Sequence, residues 1–181
     1  MDNSEINERL ITEFVTMSAE YCRALNSLDQ FTPHGFATFL LQLLPMLYIR
    51  AFSLPSYDDY DSEEVEKFVS EEEWIRVKLQ LSKLLGKNDK YYEMHSLYGD
   101  DVINPQSLSE DLADVYQDLK DFTQLIALGI DDAVVEAIGE VKYNFKYYWG
   151  QRLLNALRAM HNLYFDNKFS KEPVFKVTED Y

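Results

Sequence analysis

The sequence predicts an all-α protein: a single-domain bundle of five or six helices, with a kinked and largely buried second helix. Three observations carry this reading. Glycine (6) and proline (5) are scarce in 181 residues, whereas a multi-strand fold needs many turns. Apolar residues recur at steps of three and four through most of the chain, the period of a helix buried along one side. The apolar share of 46%, with 13 tyrosines and 11 phenylalanines, supplies one sizeable core, and the length gives no reason to divide it. The helical domain is expected over residues 1–166, followed by an extended C-terminal tail over 167–181.

The first helix is expected over 4–28, where Leu10, Phe14, Met17, Tyr21, Ala24 and Leu28 form its apolar stripe. Cys22 lies beside that stripe and reads as a small core residue. Thr32 can cap the second helix, with Pro33 at its first turn. This helix runs to about Ala51 and contains Pro45, which should kink or split it. It is apolar nearly all round and belongs near the centre. Gln42, Pro45 and Arg50 interrupt its apolar run, which therefore falls short of a membrane span. The segment SYDDYDSEEVEKFVSEEEW (56–74) holds nine carboxylates against one lysine. Asp59, Asp61 and Glu63 alternate as in a calcium loop, but Glu64 stands where glycine is needed and Ser70 where glutamate is needed. A solvated linker is the better reading, with Glu71, Glu72 and Glu73 at the positive end of a third helix over 71–85 that Gly86 closes.

Residues 87–106 show no period and read as an irregular loop packed down by Tyr91, Tyr92 and Tyr98 around His95. Ser107 and Glu110 make a capping box for a fourth helix that ends near Gly129. A fifth helix starts at Asp131 or Asp132 and persists to about Phe165, with Val141, Phe145, Trp149 and Leu153 on its buried side.

Charge excludes several functions. The net charge of −15 disfavours nucleic acid and anionic membranes, both of which call for basic patches. One cysteine rules out an intramolecular disulfide or a cysteine-based zinc site within the chain, and a reducing compartment fits. The N-terminus is acidic and polar, unlike a secretory signal, so the cytoplasm is the expected location. No phosphate-binding loop, dinucleotide fingerprint or nucleophile elbow is present.

The fourth helix carries Asp111, Asp114, Asp118 and Asp121 at steps of three, four and three. On a wheel they fill an arc roughly 80° wide beside the core face. Stacked like charges repel, and more so when desolvated, so a compensating cation is expected. Arg152 falls on the apolar arc of the fifth helix and should pair with Asp118 or Asp114 across the helix interface. The alternative is a Mg²⁺ or Mn²⁺ site built from Asp114, Asp118, Asp121, Glu136 and Glu140, able to activate water against a nucleotide or phosphate ester. No Glu-x-x-His pair supports a di-iron site, and His34, His95 and His161 are scattered singly. His161 reads as a surface residue and the run YNFKYYWG (143–150) as core with an aromatic rim.

The segments LSEDLADVYQDLKDF (108–122) and YYWGQRLLNALRAMHNLY (147–164) resemble the characteristic segments of a bacterial family of unknown function, domain family 5063. The resemblance implies a helical fold over essentially the whole chain and brings no activity with it. It also implies that Asp114, Tyr116, Asp118, Trp149, Gly150, Arg158 and His161 form a shared structural or binding unit. The resulting expectation is a soluble, non-enzymatic interaction module without a cofactor, whose acidic segment meets a basic protein surface. The candidate binding residues are Asp114, Tyr116, Asp118, Asp121, Trp149, Arg152 and His161. The metal-dependent hydrolase is the second reading.

Overall fold

The computed structural model describes residues 3–56, 67–97 and 100–169. The elements run α1 (Asn3–Asn26), a 3₁₀ turn (Leu28–Gln30), α2 (Pro33–Ser53), α3 (Glu71–Leu85), a 3₁₀ turn (Gly86–Asp89), β1 (Lys90–Leu97), β2 (Asp100–Ser107), α4 (Leu108–Ala127), α5 (Asp131–Asn144), a π-turn (Phe145–Trp149) and α6 (Gly150–Phe165). Among the described residues the fold is helical apart from one antiparallel strand pair, with Lys90 opposite Ser107 and Leu97 opposite Asp100.

α4 is the hub, packed against α1, α3, α5 and α6. Its buried face is Leu108, Leu112, Val115, Leu119 and Phe122. Phe14 of α1 meets Phe122 at 5.0 Å and Trp149 at 6.3 Å between ring centroids. Each such buried side chain contributes about 2–3 kcal/mol. The Tyr21 hydroxyl donates to the Leu112 carbonyl at 2.8 Å, which lets a polar tip enter the core. Cys22 is buried there, and burial pushes its thiol up to about 12. It is therefore a core residue with no thiolate at neutral pH.

α2 begins as expected: the Thr32 hydroxyl accepts from the Gly35 amide at 3.0 Å, and Pro33 sits in the first turn. The helix continues through Pro45 without division. It is long and apolar enough to cross a membrane by length and composition, with 44% of its most apolar window buried within the fold. Phe36, Leu40, Leu44 and Leu47 are wholly buried. On the opposite side Met46, Ile49 and Phe52 are 47%, 57% and 72% exposed. Ser70 caps α3, accepting from the Glu73 amide at 3.2 Å, and Gly86 closes it at φ 56°, a conformation glycine adopts without strain.

The expectation that α2 falls short of a membrane span is overturned by its length and composition, and three further expectations are corrected. Residues 90–97 and 100–107 form the strand pair and not an irregular loop; a two-stranded pattern without clear alternation is hard to separate from loop by period alone. Ser107 makes no side-chain cap to α4. Its place is taken by Asp89, which is 3% exposed and accepts from the Ser109 amide at 2.8 Å and from the Ser107 and Ser109 hydroxyls. A carboxylate there meets both the free amides and the positive end of the helix. Finally, the long fifth helix is interrupted by the π-turn and resumes as α6. Asp59, Asp61, Glu63 and Glu64, on which the calcium-loop reading is set aside, lie outside the described residues, as does the expected tail from residue 170.

Candidate functional site

The aspartate row of α4 faces the seam with α5, α6, α3 and the strand pair. Its four carboxylates separate into two pairs with different partners. Asp111 is fully buried. It accepts from Arg152 Nη1 at 3.0 Å and from the Tyr91 hydroxyl of β1. Asp114, 5% exposed, accepts from the Tyr148 hydroxyl at 2.7 Å and from Trp74 Nε1 at 3.0 Å, with Arg152 Nε at 3.4 Å. The guanidinium also lies 5.4 Å from the Tyr148 ring centroid. Arg152 thus joins Asp111 to Asp114, and Asp118 is not its partner. Burial raises both acids above the usual carboxylate range, and Tyr91, Tyr148, Trp74 and Arg152 pull them back. The Tyr148 hydroxyl is itself pushed up to about 12 by burial and by Asp114, so it donates and does not ionise.

The second pair lies a turn further along. Asp118 accepts from Asn144 Nδ2 at 2.7 Å. Asp121 Oδ1 accepts from the Phe68 and Val69 amides at 2.8 and 2.9 Å, which ties the segment preceding α3 to α4. Its Oδ2 is buried and has no hydrogen-bond partner. Glu140 of α5 takes Lys67 Nζ at 2.7 Å and Asn144 Nδ2 at 3.1 Å. Lys67, Asp118, Asp121 and Glu140 surround a cavity of about 10 Å³, large enough for one water. Burial raises Asp118 to about 7, and Asn144 and Lys67 only partly oppose it, while Asp121 and Glu140 push it further up.

The other candidates are placed as follows. Tyr116 is buried, its hydroxyl donating to Glu73 at 2.6 Å and paired with Asn26. Trp149 is buried and donates from Nε1 to the Val141 carbonyl at 2.9 Å. It supports the π-turn from within the core. Gly150 is buried beside it. Arg158 and His161 are exposed, with the His161 ring 4.6 Å from Phe165. Glu136 is exposed and does not line the small cavity, so the five acids named for a metal do not converge. Among the described residues no group of three or more His, Cys, Asp or Glu is arranged to hold a metal ion. Lys142, at the edge of the α5 arc, reaches the Leu54 carbonyl.

Sequence reasoning missed Asp111 as the main anchor of Arg152, and missed Tyr91, Trp74, Tyr148 and Lys67 as donors. The available signal was the row itself, since Asp111 opens it. The donors come from β1, α3, the π-turn and the segment before α3, and no spacing rule reaches across them.

The family model of DUF5063, a domain of unknown function, matches residues 5–166 of the chain. Among solved structures the chain is similar to the crystal structure of protein BF1032 from Bacteroides fragilis, at 33% identity and a TM-score of 0.75, over 86% of this chain and 95% of that one. No curated protein matches.

Proposed function

Because the chain belongs to the DUF5063 family, which carries no assigned activity, we propose its role from its own surface: a non-enzymatic interaction module whose apolar contact face is the outer side of α2. The observation that carries this is Met46, Ile49 and Phe52, spaced three residues apart and 47%, 57% and 72% exposed. Large apolar side chains presented together on one face favour a protein partner. The net charge of −15 selects a partner with a basic rim by steering and by repelling acidic competitors. The single buried thiol suits the reducing cytoplasm. The internal use of Arg152, Tyr91, Tyr148 and Trp74 by Asp111 and Asp114 supports a structural role for that half of the row.

One observation favours the second reading, a Mg²⁺- or Mn²⁺-dependent hydrolase of a nucleotide or phosphate ester. It is the unpartnered Oδ2 of Asp121 beside Asp118 and Glu140. Two arms separate the readings. A photocrosslinking residue at position 49 should capture a basic protein in cells. The purified partner should then bind directly, and Ile49→Glu should weaken it by about tenfold or more. Thermal melting with millimolar Mg²⁺ or Mn²⁺ should leave the midpoint unchanged. A rise in the midpoint that is lost in Asp118→Asn, together with metal-dependent phosphate release, would replace the module by the enzyme.

A further inference from the structure

A groove of about 470 Å³ opens where α2 meets the π-turn. Its volume is that of a site for a small organic molecule. Tyr48, Phe52 and Phe145 form its walls, Gly150 lies among them, and Lys142 and Lys146 stand at its edge. Tyr48 and Phe145 pack edge to face at 5.0 Å between centroids, so two of the walls are rigid aromatic planes.

The π-turn creates this shape. A Cβ on Gly150 would lie 2.3 Å from the Phe145 carbonyl oxygen and 2.9 Å from Cδ2 of its ring. The close approach therefore requires glycine, and it keeps the Phe145 ring folded against the helix as a groove wall. Single π-turns inside α-helices recur at functional sites. The two ammonium groups give the groove a charge opposite to that of the whole chain. Lys142 donates to the Leu54 carbonyl, and Lys146 rests over the Tyr147 ring at 4.6 Å. Burial lowers Lys142 from the ordinary lysine range, a cost that a bound anion would relieve.

We infer that this groove binds a small organic anion with a flat apolar body, of the aryl carboxylate class. The ring system lies against Tyr48, Phe52 and Phe145, and the anionic group meets Lys142 and Lys146. The groove shares Phe52 with the α2 docking face, but its test uses the isolated chain and so is read apart from any protein partner.

Fluorescence titration with anilinonaphthalene sulfonate probes the site, because that dye joins a flat apolar body to an anion. The folded protein should bind one dye per chain, and naphthoate should displace it. The double variant Lys142→Gln/Lys146→Gln should weaken the dye by about tenfold, as expected for loss of charge-assisted contacts. Phe52→Ser, at an exposed wall position, should weaken it by about fivefold. Uncharged phenylnaphthylamine should bind the parent protein about tenfold more weakly than the sulfonate does. Urea unfolding of each variant verifies that the fold is retained. Equal binding of charged and uncharged dyes, or indifference to both the lysine and the Phe52 variants, would overturn the site.

Discussion

Arg152 is the residue on which the α4 seam turns. Its guanidinium is partly open to solvent, 30% exposed, but it neutralises Asp111, whose side chain has no exposure at all. Removing one partner of such a pair leaves an uncompensated buried charge, which is more costly than the pair is favourable. Arg152→Met should lower stability at neutral pH by roughly 2–4 kcal/mol, a figure already reduced for the solvent around the guanidinium. Urea unfolding measures it. The loss should shrink as pH falls and the carboxyls take up protons; an unchanged midpoint at pH 7 would remove Arg152 from this role. Asp118 is held by Asn144 and not by Arg152. Its pKa, raised to about 7, means the native state holds a proton that the unfolded chain releases near pH 4. The stability from that proton is fully present below the unfolded value and is lost as pH rises through 7. Asp118→Asn keeps an oxygen to accept from Asn144 and removes the charge. It should stabilise the protein by about 1 kcal/mol at pH 8 and change little at pH 4, as read from paired urea melts.

At the scale of elements, two devices hold α4 and α6 in place. Asp89 caps α4 from outside the helix. The π-turn sets the entry to α6, with Trp149 donating to Val141 beneath it. Gly150→Ala tests the turn directly. The added methyl would sit 2.3 Å from a backbone carbonyl, which no side-chain motion relieves. The helix must unwind its extra residue, shifting every later contact of α6 by a register, or absorb strain. A loss of about 2–4 kcal/mol is expected, with faster amide exchange across residues 145–150 measured by mass spectrometry. An alanine variant as stable as the parent would mean that the turn is dispensable.

The whole molecule carries a negative charge of −15 and keeps four carboxylates of α4 raised by burial: Asp111, Asp114, Asp118 and Asp121. At these four carboxyls, between the unfolded carboxylate range and neutrality, the native state therefore binds more protons than the unfolded state. By linkage its stability falls as pH rises across that interval. The urea midpoint should be higher at pH 5.5 than at pH 7.5, and Asp118→Asn should flatten the difference. A midpoint that rises steadily with pH would show that these acids are stabilised as anions in the native state, against the arrangement described.

The sequence by itself determined the helical class, the single core, the caps at Thr32 and Gly86 and the fact that Arg152 needs a carboxylate. Each of these follows from local chemistry: a periodic stripe, a hydroxyl before a helix, a glycine after one, a cation on an apolar arc. Only the tertiary structure decided which acid meets Arg152, that Asp89 and not Ser107 caps α4, that residues 90–97 and 100–107 pair as strands, and that the helix after Asn144 takes a π-turn. These depend on donors brought from elements far apart in the chain, or on packing that overrides the regular helical period. A carboxylate row looks the same in sequence whether an arginine, a pair of backbone amides or a small cavity stands opposite each member. The fold alone distributes those partners.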